Sequence, residues 1–125
     1  MTGVQTCALP ILRWATVLAA VATRVERLKH LARNEPEQLA TVELTADEIR
    51  VLIALKRRYK KRTERIPSGT PTIAQAVCWI AEIGGYTGKS SGGPPGSITI
   101  ARGLERLRHA VEGVEAMAAT YSAEK

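Results

Sequence analysis

The sequence predicts an all-α domain, a small helical array of about four helices that ends in a long C-terminal helix. Three observations carry this. Apolar residues recur at helical spacing along four segments, and none alternates convincingly as a strand; Thr41 to Thr45 is the one weak candidate. The aromatics are two Trp, three Tyr and no Phe, so the core is aliphatic and suits packed helices. Helix start and stop signals bracket the segments. With 125 residues and 45% hydrophobic content there is room for one domain.

The first helix places Trp14, Val17, Leu18, Val21, Val25, Leu28 and Ala32 on one face, with Glu26, Arg27, Lys29, His30 and Arg33 elsewhere. Its apolar start, ATVLAAVA, imitates a secretory signal, but it continues into RVERLKHLAR without a change of period, so one amphipathic helix explains the whole segment. No run approaches the roughly 18 apolar residues of a membrane span. The helix is expected to end near Arg33 to Glu35, ahead of Pro36. Residues 1–11, MTGVQTCALPI, are uncharged and aperiodic, and they resemble a translated short-read sequencing adapter. They are expected not to be native, which leaves 12–125 as the domain.

A capping box, Thr45 with Glu48, opens the second helix, with Leu44 and Ile49 as a hydrophobic staple. Its core side is Ile49, Leu52, Ile53 and Leu55, and it is expected to run to about Thr63. Thr70 as cap and Pro71 at the first helical position predict the third helix. Its stripe is Ile73, Val77, Ile80 and Ala81, and Gly84-Gly85 stops it. The segment YTGKSSGGPPG then reads as a loop, either a linker or a contact surface. In the last helix Ile100, Leu104, Leu107, Val111, Val114 and Ala118 repeat at 4, 3, 4, 3, 4, a short heptad seam.

The net charge of +6 is concentrated in one place. Residues 45–66 carry eight basic and three acidic groups, while 67–125 carry five of each. The excess lies in Lys56, Arg57, Arg58, Lys60, Lys61 and Arg62. Such a run either tracks nucleic-acid phosphates or forms a solvated helix end suited to the macrodipole. Gly84 to Gly88 is not a phosphate-binding nucleotide loop: three residues separate the glycines where four are needed, and a helix precedes them, not a strand. No nucleotide is therefore expected. Catalysis finds little support. His30 and His109 stand alone on polar faces, Cys78 reads as a buried thiol, and Glu105 and Glu112 read as solvated charge. Asp47 is the single aspartate.

Taken together, Trp79-Ile80-Ala81, Ile83-Gly84-Gly85-Tyr86, the Gly/Lys/Ser loop, Pro95-Gly96 and Gly103-Leu104-x-x-Leu107 resemble the C-terminal region of DDE insertion-sequence transposases similar to the transposon-five transposase. ERLKHLARNEP, VELTADEI and LKRRYKKRTERIP fit as well, so the resemblance runs from Leu12 to about Gly113. It implies a homodimer that meets its twin through Ile100, Leu104, Leu107, Val111 and Val114 on the last helix. Some relatives carry Trp at the start of that helix, where this chain has Ala101 and Leu104. The resemblance also implies contact with transposon-end DNA through a loop Lys and Ser, nearest to Lys89 and Ser90, in a prokaryotic cytoplasm and nucleoid. The family's divalent metal, Mg2+ by expectation, belongs to a catalytic core with two Asp and one Glu that have no counterpart here. The chain is thus expected to be no enzyme by itself. The alternatives are a stand-alone basic helical regulator that binds DNA, and a purely structural interaction module.

Overall fold

A computed structural model describes residues 2–88 and 93–124. Four helices follow one another: α1 (Thr2–Asn34), α2 (Ala46–Tyr59), α3 (Ile73–Ile83) and α4 (Ser97–Glu124), with a 3-10 turn at Ala40–Val42 between the first two. Among the described residues no strand forms. The Thr41 to Thr45 segment holds the 3-10 turn instead, and the neighbouring Leu39 makes an isolated bridge to Thr72. Ala40 N–H donates to the Pro71 carbonyl at 3.0 Å, and Ile73 N–H to that of Gln38 at 2.6 Å, tying the α1–α2 connection to the entry of α3. No helix is long and apolar enough to cross a membrane, among the described residues.

The shortest of the four helices, α3, sits at the centre and packs against the other three. Its stripe of Ile73, Val77, Ile80 and Ala81 is buried as expected, and Ala76 and Trp79 join it. Against it lie Val25 and Leu28 of α1, Ile49 and Leu52 of α2, and Ile100, Leu104 and Leu107 of α4. Each fully buried Leu or Ile contributes about 1.5–3 kcal/mol relative to exposure.

The α3–α4 crossing is close because glycine stands at the C-terminal end of α3 and inside α4. A Cβ on Gly103 would lie 1.8 Å from the Ile80 carbonyl oxygen, and one on Gly84 would lie 2.1 Å from that of Thr99. Gly84 therefore serves the approach of α4 as well as the end of α3, and Gly85, at φ 103°, takes the left-handed turn.

Both termini of α2 and α3 follow from local chemistry. Thr45 and Glu48 form the expected reciprocal box. The cap of α3 is Thr72, not Thr70, and it forms its own box with Gln75. Pro71 precedes the cap and is buried. The second helix ends at Tyr59, one turn short of Thr63. Further helix would stack Arg57 on Lys61 and Arg58 on Arg62, like charges at i,i+4. Turning there instead brings Glu64 back to Lys56.

Ion pairs and a polar latch fix α1. Arg24 meets both Glu48 carboxylate oxygens at 2.8 Å, and Arg27 pairs with Glu43 at 3.1 Å. Ser97, the first residue of α4, donates its hydroxyl to Glu26 at 2.6 Å and accepts from the Lys29 ammonium at 2.9 Å. The Ser97 hydrogen bond and the Lys29 ammonium hold the Glu26 carboxyl below its ordinary pKa.

Both long helices are docked over only part of their length. On α1 the face from Val25 onward is buried, while Trp14, Val17, Leu18 and Val21, on the same face, are exposed. Regular helix also runs through residues 2–11, with Pro10 inside it, where the sequence shows no period.

Candidate dimerisation and nucleic-acid surfaces

The seam expected to meet a second copy is divided by the structure. Ile100 and Leu107 are 0% exposed and Leu104 is 8% exposed, all of them in the chain's own core. Val111 is half-buried at the edge of that core, and Val114 is 56% exposed. Beyond it Met117 and Tyr121, which the heptad reading did not single out, stand exposed on the outer part of α4. The spacing from Val114 to Tyr121 is one heptad, so the signal was present one turn past the stripe's stated end. The apolar residues that α4 leaves outside the core on this face are thus Val111, half-buried, and the exposed Val114, Met117 and Tyr121. A carboxylate at Val114 tests whether a second copy uses them.

The basic run also separates into two parts. Arg57, Arg58, Lys60, Lys61 and Arg62 are exposed, the last three on the turn after α2, and the Arg58 guanidinium lies 5.9 Å from the centre of the Tyr59 ring. Lys56 is 6% exposed and turned inward, 2.7 Å from Glu64 and 2.5 Å from Glu82. It falls on the Ile49–Leu52 stripe, which marks it as inward-facing; sequence reasoning counted it with the surface cations because its neighbours are basic. Lys89 and Ser90 lie outside the described residues. Nearby, the Tyr86 hydroxyl donates to the Gly93 carbonyl at 2.7 Å.

Lys56 holds the segment after α2 onto α3. Burial alone would lower its pKa, but hydrogen bonds to Glu64 and Glu82 outweigh that and leave it raised. The Lys56 hydrogen bond holds the Glu64 carboxyl below its ordinary value near 4.5. The stabilisation from Glu64 is therefore present above about pH 4.5 and is lost as pH falls through its lower folded value. That from Lys56 is present below its ordinary value of 10.5 and is lost as pH rises through its higher folded value. Lys56→Met keeps most of the apolar stem and removes the cation. Thermal melts should show stability lower by about 1 kcal/mol at neutral pH, since both carboxylates are partly exposed, and a flatter acid limb. An unchanged acid limb would show that the clamp contributes nothing.

The remaining candidates stay apart. His30 is exposed and shares its ring nitrogen with the Asn34 amide at 3.0 Å. Burial first, and the nearby Glu82 charge second, push the Cys78 thiol up, which leaves it protonated and a poor nucleophile. Asp47 is exposed and pairs with Arg50 at 3.3 Å. Among the described residues no three His, Cys, Asp or Glu side chains come together as a metal site.

A helical body with its terminal helix half docked and half free, and exposed cations at the end of α2, is a domain organised for association. The chain matches the family described as Transposase Tn5 dimerisation domain over residues 20–124, and it belongs to that family. Comparison with curated proteins and with solved structures finds no match. The match spans the motifs from Trp79 to Leu107 that carry the resemblance, as well as the basic run and α4.

Proposed function

We propose that this chain is the dimerisation and DNA-end-contacting region of a cut-and-paste DDE transposase acting in a prokaryotic cytoplasm. The observation that carries the reading is the free half of α4, an apolar face on a helix whose other half is fully consumed by the core, in a chain of this family. The metal-binding catalytic residues belong to a part of the parent protein other than this helical domain, so the domain contributes assembly and DNA contact, not chemistry.

Contact with transposon-end DNA falls to Arg57, Arg58, Lys60, Lys61 and Arg62, together with Lys89 and Ser90 of the loop. Exposed cations on a tight turn release counterions when they meet phosphates, so affinity falls steeply with salt. Fluorescence anisotropy with a duplex should show a linear fall of log K with log salt. Reversing Arg57, Arg58 and Lys61 to glutamate should flatten the slope by about 2–3, at roughly 0.9 per phosphate contact. An unchanged slope, or no binding at low salt, would remove the DNA role.

A further inference from the structure

The exposed end of the basic run is tied to the core by a single carboxylate. One oxygen of Glu64 meets the Lys56 ammonium at 2.7 Å, and the other accepts from the Lys61 backbone N–H at 3.3 Å. The Glu64 N–H returns a hydrogen bond to the Lys61 carbonyl at 3.0 Å, so residues 61–64 close into a turn with Arg62 near its middle. Lys56 is itself anchored. It lies 6% exposed in the last turn of α2 and reaches Glu82 of α3 at 2.5 Å. Lys61, Glu64, Lys56 and Glu82 thus link an exposed cation to the central helix of the fold.

On a surface that only gathers phosphates these two carboxylates are out of place. Both are partly exposed, both repel an approaching phosphate, and Lys56 turns its charge inward to meet them. What they contribute is position. Lys60, Lys61 and Arg62 lie beyond the last residue of α2. On a free segment, each phosphate contact would have to order backbone as well as a long side chain, and that entropy would weaken binding. With the turn closed at Glu64, the backbone is ordered before any ligand arrives.

We infer that Lys56, Glu64 and Glu82 are positioning residues for DNA contact: they hold the turn after α2 in one conformation, so that Lys60, Lys61 and Arg62 meet a phosphate backbone already in place, while none of the three touches the nucleic acid. This rests on the reading that the exposed basic run contacts DNA, and it adds what sets the geometry of that contact.

The sign of one substitution tests this. Glu64→Ala takes a negative charge out of the basic cluster, and by long-range attraction alone it should tighten DNA binding. If Glu64 orders the turn, the same substitution should weaken binding about threefold to tenfold at every salt concentration. The cations that meet phosphates are still present, so the slope of log K against log salt should keep its parent value, whereas Lys61→Gln should lower it by about 0.9. Fluorescence anisotropy of the full chain with a duplex, well below the melting temperature, reads both quantities, and circular dichroism checks that each variant is folded. Glu82→Ala, on α3 and distant from the run in sequence, is the second variant and keeps the test decisive where Glu64→Ala does not fold. It too should weaken binding with the slope kept, although it also removes a negative charge. Binding by either folded variant as tight as the parent's, or tighter, overturns the positioning role, while the parent's salt slope leaves the DNA role standing. Weaker binding with a reduced slope also overturns it, because a lost contact and not lost order is then the cause. A parent chain that binds no duplex at low salt removes both readings.

Discussion

Leu107→Glu will unfold the domain, whereas Val114→Glu will leave it folded and separate its copies. The two positions lie one heptad apart on one helix and carry the same kind of side chain, so sequence alone treats them alike. Leu107 is 0% exposed among α3 and α4 core residues. Removing a buried leucine costs about 2–5 kcal/mol, and forcing a carboxylate into the same space adds several more. A small domain has roughly 5–15 kcal/mol in total, so circular dichroism should find Leu107→Glu without a cooperative melt at 25 °C. Val114 is 56% exposed. Its replacement should change the melting of the isolated fold by less than about 0.5 kcal/mol. At the centre of an apolar contact, the same carboxylate should weaken the dimer about tenfold to a hundredfold by sedimentation. A monomeric Leu107→Glu with a native melt would show that α4 does not pack as described. A Val114→Glu variant that associates as tightly as the parent would show that the partner sits elsewhere.

This contrast marks what the sequence could and could not reveal. Periodicity finds the apolar face of a helix, and it found those of α1 and α4 correctly. It does not say what covers each stretch of that face. Val21 and Val25 on α1 share a stripe with the same chemistry, yet one is exposed and the other buried, because the body ends between them. Lys56 illustrates the opposite failure. Composition grouped it with its basic neighbours, while its place on the Ile49–Leu52 stripe already turned it inward. The α3 cap was misplaced because Thr70-Pro71 and Thr72-x-x-Gln75 are both valid start signals. The second wins because Ala40 and Gln38 hydrogen-bond Pro71 and Ile73, leaving Thr72 extended at the bridge to Leu39. The α2 box and the Gly84-Gly85 stop were legible because their chemistry lies within a few residues.

Gly103 sets local preference directly against packing. Alanine is favoured over glycine by about 1 kcal/mol in a helix interior, so propensity alone makes Gly103→Ala stabilising. The structure predicts the reverse, because the new methyl would meet the backbone carbonyl of Ile80 at 1.8 Å and no side-chain rotation relieves that. The two helices must part, and overpacking of this kind costs about 1–3 kcal/mol beyond the lost propensity gain. The melting temperature should fall by roughly 10 °C for a domain of this size. Gly113 is the control on the same helix. Its Cβ would meet nothing, so Gly113→Ala should raise the stability of the monomer by about 0.5–1 kcal/mol. If both substitutions stabilise, the α3–α4 crossing is looser than described. If Gly103→Ala alone destabilises, the close glycine contact holds α4 against α3. The direction in which its free half leaves the body, and with it the geometry of any dimer built on Val114 and Tyr121, is then set by a backbone contact inside each copy.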